Sequence, residues 1–330
     1  MVFFFLNLPE PSWADTWLNF RQFDYLGTLC LAAGTACMLL IPAPSGTLPP
    51  WISGHPVGIF ISGLALLTAF FFIEPLVPDP LLDPSLFLNP GQLVIMVAAF
   101  FHGANLFGTL YYVPHFFQLV LEDSAVTSSV STLPMIIAMG WSTVAMFMTS
   151  PCRTSFNIVR AVAASAALAS GLMVRWDTST SREETVVVLA LLGLGQGTAL
   201  IGLLRTAQAS GGQFTRVFTF AHVLGSASGV ALFLAPYVNK LQSLLRILVP
   251  DVAQALADTG KIDGEFCAGF ESRVRDAFGW SMQAGWWLML ACALTVLALS
   301  FLVEPSQLRK DGDSSRPGDG EKVSEADKGF

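Results

Sequence analysis

The chain has 330 residues, of which 53% are hydrophobic and only 12% are charged, and its formal net charge is -7. A soluble globular protein carries about a quarter charged residues, so this composition excludes an ordinary water-facing surface. The sequence also has no basic stripe with interleaved aromatic residues, which excludes a nucleic acid as partner.

Long runs without a charged residue divide the chain. Each run reaches the ~20 apolar residues that a helix needs to cross a bilayer. A proline-rich loop splits the first run, because such a loop cannot stay helical in lipid. We therefore predict an all-α polytopic membrane protein with about eight transmembrane helices within residues 24–304. The predicted spans are 24–41, 56–74, 91–121, 127–149, 155–174, 185–205, 216–237 and 277–303.

A count of seven spans is the alternative, because Arg153 and Arg160 crowd the start of the fifth span. Orientation follows from the lysines and arginines of short loops, which are retained on the cytoplasmic side. With the N-terminus in the cytoplasm, the short outer loops receive only Arg175 and Arg182. We therefore predict that both termini are cytoplasmic.

Two segments are predicted to lie outside the membrane. Residues 239–276 are rich in charge and carry leucines at helical spacing, which predicts a partly helical outer loop on the bilayer surface. Residues 305–330 are nearly free of apolar side chains. They cannot bury enough surface to fold, and we predict a disordered cytoplasmic tail.

The third predicted span holds most of the polar residues found within the spans. They form two helical stripes, the first with His102, Asn105, Thr109 and Tyr112 and the second with Tyr111, His115 and Gln118. Such groups either hydrogen-bond to neighbouring helices or line an aqueous path, because an unpaired polar group is costly to bury. The first stripe, with Gln196, is the candidate substrate path. We expect the second stripe to anchor the helix at the membrane interface.

The spans offer no chemistry beyond these polar groups. None has an Asp or Glu at its centre, so no obvious proton carrier is present. The cysteines and histidines show no metal-ligand or catalytic spacing. We predict no metal, no cofactor and no enzymatic activity. The glycines within 193–197, like Gly225 and Gly229, are expected to let helices approach closely, and Pro114 is expected to kink or tilt its helix.

Four stretches carry a family resemblance: FDYLG at 23–27, FHGANLFGTLYYVPHFFQ at 101–118, STLP at 131–134 and GLGQG at 193–197. In order and spacing they resemble the second half of fungal fourteen-spanner drug:proton antiporters of the major facilitator superfamily. The resemblance implies that the eight spans are the family's last eight, and that residues 1–23 are a remnant of the preceding span plus a cytoplasmic linker. It further implies an N-terminal truncation that removes six spans and their proton-coupling acidic residue.

The same resemblance makes Arg153 and Arg160 gating-loop candidates. It predicts a plasma-membrane transporter that exports a drug, toxin or secondary metabolite by proton antiport. Its partners would be the lipid bilayer, a small organic substrate, and a separate N-terminal half or a full-length relative. Substrate in such transporters binds between two halves. The alternative is therefore a non-transporting membrane helix bundle, either a remnant or a half-transporter that binds a partner.

Overall fold

The computed structural model describes residues 24–40, 54–77, 89–148, 153–250 and 271–302. The predicted linker at 1–23 and tail at 305–330 lie outside these residues. Within them the chain forms eight helices, which confirms the predicted all-α class. The helices are α1 Tyr25–Leu40, α2 Gly54–Ile73, α3 Pro90–Leu119, α4 Ala125–Met148, α5 Arg153–Met173, α6 Arg182–Ala209, α7 Gly212–Leu248 and α8 Glu271–Leu302, with a 3-10 turn Glu74–Leu76 after α2.

Five of the described helices, α3, α4, α6, α7 and α8, are long and apolar enough to cross a membrane. Among the residues whose side chains the structure describes, the apolar stretches of α1, α2 and α5 are shorter. Large apolar side chains cover the outer faces of the helices; Trp141 on α4 is 71% exposed and Trp287 on α8 is 61% exposed. Such an outward face suits lipid rather than water. The chain is an integral membrane protein with several spans.

Helices α3 to α8 form a closed ring in the order α3, α7, α8, α5, α6, α4. Helix α3 also packs against α6 and α8 across the ring, so that most of its surface is buried. Helices α1 and α2 pack against each other, and α1 touches α7. A second apolar cluster, with Phe70 and Phe214 among its members, joins this pair to α3 and α7.

The described loops that we predict on the outer side lie together at one end of the ring. Arg182 at the start of α6 pairs with Asp123 in the loop between α3 and α4. Arg275 near the start of α8 pairs with Glu122 of the same loop at 3.1 Å. Exposed ion pairs contribute only ~0–1 kcal/mol each. They are informative about topology instead, because they show that these helix ends lie on one side of the bundle.

Two arginines cap helices at the opposite end. Nε of Arg160 donates to the carbonyl oxygen of Ser300 in the last turn of α8 at 3.0 Å. Arg205 donates to the carbonyl oxygen of Phe147 in the last turn of α4 at 2.7 Å. The last carbonyls of a helix lack partners within that helix, and a cation there complements the helix dipole. Arg153 begins α5, and its side chain lies outside what the structure describes.

Helix α7 is longer than the predicted span and includes residues 239–248, which we expected in the outer surface loop. Leu241 and Leu245 pack in the main core of the ring. Lys240 and Arg246 lie on the exposed side of the same turns. The period of 3.6 residues separates the two sets. The charges therefore end the apolar run of the sequence without ending the helix.

Candidate functional site

Glycines bring α3 and α7 into close contact. A Cβ on Gly225 would overlap the carbonyl oxygen of Phe100, and a Cβ on Gly229 would overlap that of Ala104. Because the obstacle is backbone in both places, a side chain cannot be accommodated by a change of rotamer. The close approach expected at these two glycines is confirmed.

The glycines of α6 act in the same way toward other helices. A Cβ on Gly193 would meet the carbonyl oxygen of Met135 on α4, and a Cβ on Gly195 would meet Ala166 on α5. These contacts confirm that the glycine-rich stretch of α6 serves helix packing.

The crossing of α3 and α7 places two histidines from distant parts of the chain side by side. Nδ1 of His102 lies 3.1 Å from Nε2 of His222, and Nε2 of His102 lies 3.0 Å from the backbone oxygen of Gln196 on α6. His102 is buried, and His222 is half-buried. A carbonyl oxygen only accepts, so Nε2 of His102 carries a hydrogen. When His102 is neutral, its Nδ1 accepts and Nε2 of His222 donates.

Asn105 lies about one turn after His102 and links α3 to three further helices. Its Oδ1 accepts from the side-chain amide of Gln196 on α6. Its Nδ2 donates to the backbone oxygen of Met289 on α8 at 2.5 Å and reaches Oγ of Ser170 on α5 at 3.5 Å. Asn105 and Gln196 are both buried. We call His102, Asn105, Gln196 and His222 the polar cluster.

The first stripe continues with Thr109 and Tyr112, whose surroundings differ from those of the polar cluster. Thr109 is fully buried, and its hydroxyl has no hydrogen-bond partner among the described residues. The hydroxyl of Tyr112 donates to the backbone oxygen of Val230 at 3.1 Å. The ring of Tyr112 stacks on Phe233 with 3.9 Å between ring centroids. Tyr112 therefore belongs to an aromatic part of the main core, about 15 Å along α3 from His102.

The five substrate-path candidates are thus all buried, and three of them form direct interhelical hydrogen bonds within the polar cluster. His102 and Asn105 hydrogen-bond to neighbouring helices, and the lining of an aqueous path stays a prediction for both. Arg160 does not join these residues. It precedes Ser170 on α5 by about 15 Å of helix and contacts the end of α8 instead.

The second stripe lies on the more exposed side of α3. Tyr111 is 50% exposed, and its ring stacks with that of His115 at 4.7 Å between centroids. Gln118 donates to Oγ of Ser128 on α4, which itself donates to the backbone oxygen of Pro114. Helix α3 continues through Pro114 to Leu119. Anchoring at the membrane interface stays a prediction for this stripe.

No spacing in the sequence pairs any of the four histidines, so His222 is absent from the candidate site residues. Its partner lies 120 residues away, beyond the reach of any spacing rule. A usable signal was nevertheless present, because His102 adjoins Gly103 and His222 lies one turn before Gly225. Small residues mark positions where helices approach closely, and a histidine beside each of them is a candidate for an interhelical pair.

No protein-family model matches the chain. The chain is 28% identical over 324 residues to the acetylaranotin efflux transporter of Aspergillus terreus. The aligned region covers 93% of this chain and 70% of that protein. It is 27% identical over 279 residues to a transporter of Aspergillus fumigatus, covering 79% of this chain and 48% of that protein. It is also 31% identical over 229 residues to an uncharacterized transporter of Mycobacterium tuberculosis, covering 67% of this chain and 33% of that protein.

All three relatives are named as transporters of the major facilitator superfamily, and the chain spans about a third to seven-tenths of their length. Efflux pumps of Pyricularia grisea and Gibberella moniliformis are further relatives, at 27% and 25% identity. The chain is therefore homologous to part of these transporters of the major facilitator superfamily, among them fungal efflux pumps, and these relatives are transporters rather than enzymes.

Proposed function

We propose that this chain takes part in the export of small organic molecules, such as secondary metabolites or toxins, across the plasma membrane by proton antiport. The observation that carries the proposal is the similarity to the acetylaranotin efflux transporter, which extends over 93% of the chain. The resemblance of the third span to drug:proton antiporters points the same way. The proposal requires the remaining part of such a transporter, whether on this polypeptide or on another.

The polar cluster supports the proposal in a specific form. Three of its side chains, those of His102, Asn105 and Gln196, are buried among α5, α6, α7 and α8, so they could meet a substrate only after α3 moves relative to these helices. Alternating access in secondary transporters involves such relative movements of helices. In the proposal, the polar cluster holds the closed arrangement together, and the substrate path opens beside it.

A second candidate function is a membrane helix bundle that binds a partner half without transporting on its own. Two observations favour it: α3 to α8 already close a ring with its own core, and the chain spans 48% of the length of one relative. A bundle of this kind would be stable alone and would acquire transport only in a complex.

An accumulation assay in a fungal strain without its own efflux pumps distinguishes the two functions. The chain is expressed alone and together with the part of the acetylaranotin efflux transporter that it does not match, and the cells are loaded with acetylaranotin or a fluorescent drug. Export predicts lower accumulation than with the partner part alone, and a dependence on the pH gradient. Equal accumulation, with both polypeptides in the membrane and co-purifying, contradicts export and supports the partner-binding bundle.

Substitutions test the substrate-path assignment in the same assay. Asn105→Ala and Tyr112→Ala should each weaken export, because one loosens the polar cluster and the other removes an aromatic contact between α3 and α7. Ser129→Ala is the control, since this exposed hydroxyl on α4 bonds only within its own helix. Unchanged export by both variants at normal protein levels would contradict the assignment.

A further inference from the structure

We propose that His102 and His222 together form a proton-binding site, and that it holds the coupling proton of the proposed antiport. The role in coupling rests on the proposed function, whereas the binding of the proton does not. None of the described helices has an Asp or Glu in its middle, so no carboxylate of the described helices competes with the pair for this role. Histidine is the other side chain that takes up and releases protons near neutral pH.

The geometry determines which ring nitrogen donates and which accepts between the two histidines. The backbone oxygen of Gln196 fixes the hydrogen of His102 on Nε2, so Nδ1 of His102 faces Nε2 of His222 as an acceptor. The hydrogen between the rings therefore belongs to His222 in the neutral state. Nδ1 of His222 makes no hydrogen bond to any described residue, and the ring is only half-buried. In the proposal, a proton enters at this nitrogen once α3 and α7 separate and water reaches the pair.

One proton can then pass through the pair without loss of a hydrogen bond. A proton binds to the lone pair of Nδ1 on His222 and makes that ring a cation. The hydrogen on Nε2 of His222 moves to Nδ1 of His102, which leaves His222 neutral with its hydrogen on Nδ1. His102 is now the cation, and its Nε2 still donates to the oxygen of Gln196. Release of the proton reverses these steps.

The surroundings supply little competing charge. The pair itself contacts Gln196 of α6 and, through Phe218, the apolar cluster that includes Cys30 of α1. Along α7 and α6 the nearest charged residues are Arg216, about 9 Å of helix from His222, and Arg205, about 14 Å of helix from Gln196.

The other titratable residues of the packed helices lie elsewhere. Asp24 and Glu74 stand at the ends of α1 and α2, Tyr112 lies in the aromatic part of the core, and Cys292 is on α8. Among the described residues, no carboxylate, lysine or arginine makes a hydrogen bond or ion pair with either ring. Two adjacent imidazolium rings would repel each other, so the pair takes up one proton rather than two.

Protonation at this position acts directly on helix packing. Gly103, next to His102, lies so close that a Cβ there would overlap the backbone oxygen of His222. A cation buried at such a contact without a counter-ion is costly, and separation of α3 from α7 would let water reach it. The protonated and the neutral histidine pair thus favour different distances between α3 and α7. Such a difference between two states is required to couple proton binding to a movement of helices.

Solid-state NMR of the full chain in lipid vesicles, with 15N-labelled histidine, tests proton binding without any transport. Over a titration from about pH 8 to about pH 3, which extends below the ordinary range of histidine, the wild type should show His102 and His222 changing together, with one proton per pair. His222→Gln should abolish the joint change. His115→Gln is the matched control, since its ring bonds only to the backbone of Tyr111, and the pair should titrate as before. Independent titration of the two rings, or two protons per pair, overturns the proposal.

Transport gives the second readout. If the wild type exports in response to a pH gradient, His102→Gln and His222→Gln should lose that pH-driven component, whereas His115→Gln should retain it. Retention by both variants overturns the role in coupling. If the wild type does not export at all, the proposed function fails, and the NMR titration alone decides whether the pair binds a proton.

Discussion

Asn105 joins α3 to three other helices of the ring, because its amide bonds to groups on α6 and α8 and reaches α5. Replacement by alanine leaves the side-chain amide of Gln196 without this partner in a buried site. A buried polar group that loses its partner costs ~1–3 kcal/mol. We predict that Asn105→Ala lowers stability by that amount, measured by thermal unfolding in detergent.

Thr109→Val is the natural comparison for Asn105→Ala. The two residues lie about one turn apart on the same buried stripe, but the hydroxyl of Thr109 has no hydrogen-bond partner among the described residues. Removal of an unpaired buried hydroxyl at nearly constant volume releases a desolvation cost. We predict that Thr109→Val unfolds at the same or a higher temperature than the wild type. A large loss of stability would show that this hydroxyl has a partner in the membrane.

Two substitutions of Tyr112 distinguish the contribution of its hydrogen bond from that of its aromatic contact. Tyr112→Phe removes the bond to the backbone oxygen of Val230 and keeps the stacking on Phe233. The expected loss is about 0.5–1.5 kcal/mol. Tyr112→Ala also removes a buried ring and should cost about 3–5 kcal/mol. Equal losses for both variants in thermal unfolding would contradict the contribution that we assign to the stacked ring.

At the scale of helices, the contact of α3 with α7 sets the position of the polar cluster. We predict that Gly225→Ala disrupts folding, because the added Cβ would overlap the backbone oxygen of Phe100. Gly140→Ala on α4 is the control, since a Cβ there meets nothing within 4 Å. Alanine is the better helix former, so this variant should be as stable as the wild type. The measurement is the monodisperse fraction after extraction and size-exclusion chromatography.

The sequence predicts the helices better than their ends. Runs without charge, with the first divided by its proline-rich loop, locate seven of the eight described helices, since charge is excluded from lipid and apolar runs of this length become helices there. Helix α5 is the exception, because Arg160 lies within it. In α7 the same criterion places the end of the helix too early. Lys240 and Arg246 face outward there, while Leu241 and Leu245 continue the core. A charge count ignores the face on which a residue lies, whereas packing depends on it.

The polar cluster could be predicted only in part for a related reason. Periodicity assigns His102 and Asn105 to one stripe, because both lie on the same helix. The partner of His102 is set by how α3 and α7 cross, and no pattern within a single helix contains that information. Likewise, the family resemblance groups Arg160 with Arg153 as gating-loop candidates, whereas the contact of Arg160 with Ser300 depends on the packing of α5 beside α8.

At the scale of the whole molecule, the predicted orientation in the membrane can be tested directly. The ion pairs of Asp123 with Arg182 and of Glu122 with Arg275 gather the predicted outer loops at one end. Arg160 and Arg205 lie at the other end, as the retention of basic residues on the cytoplasmic side requires. Helix α6 joins the two ends, and its 28 residues span about 42 Å.

We predict that Ser179→Cys, before α6, reacts with a membrane-impermeant maleimide added to intact cells, and that Gln213→Cys, after α6, reacts only when the membrane is opened. Both positions are exposed, so a difference in labelling reports the side of the membrane rather than burial. The native cysteines are first replaced by serine to remove background. The reverse pattern would invert the predicted orientation and place both arginine caps outside. Labelling of both sites in intact cells would contradict a membrane-spanning α6, and with it the alternation of spans on which the proposed export depends.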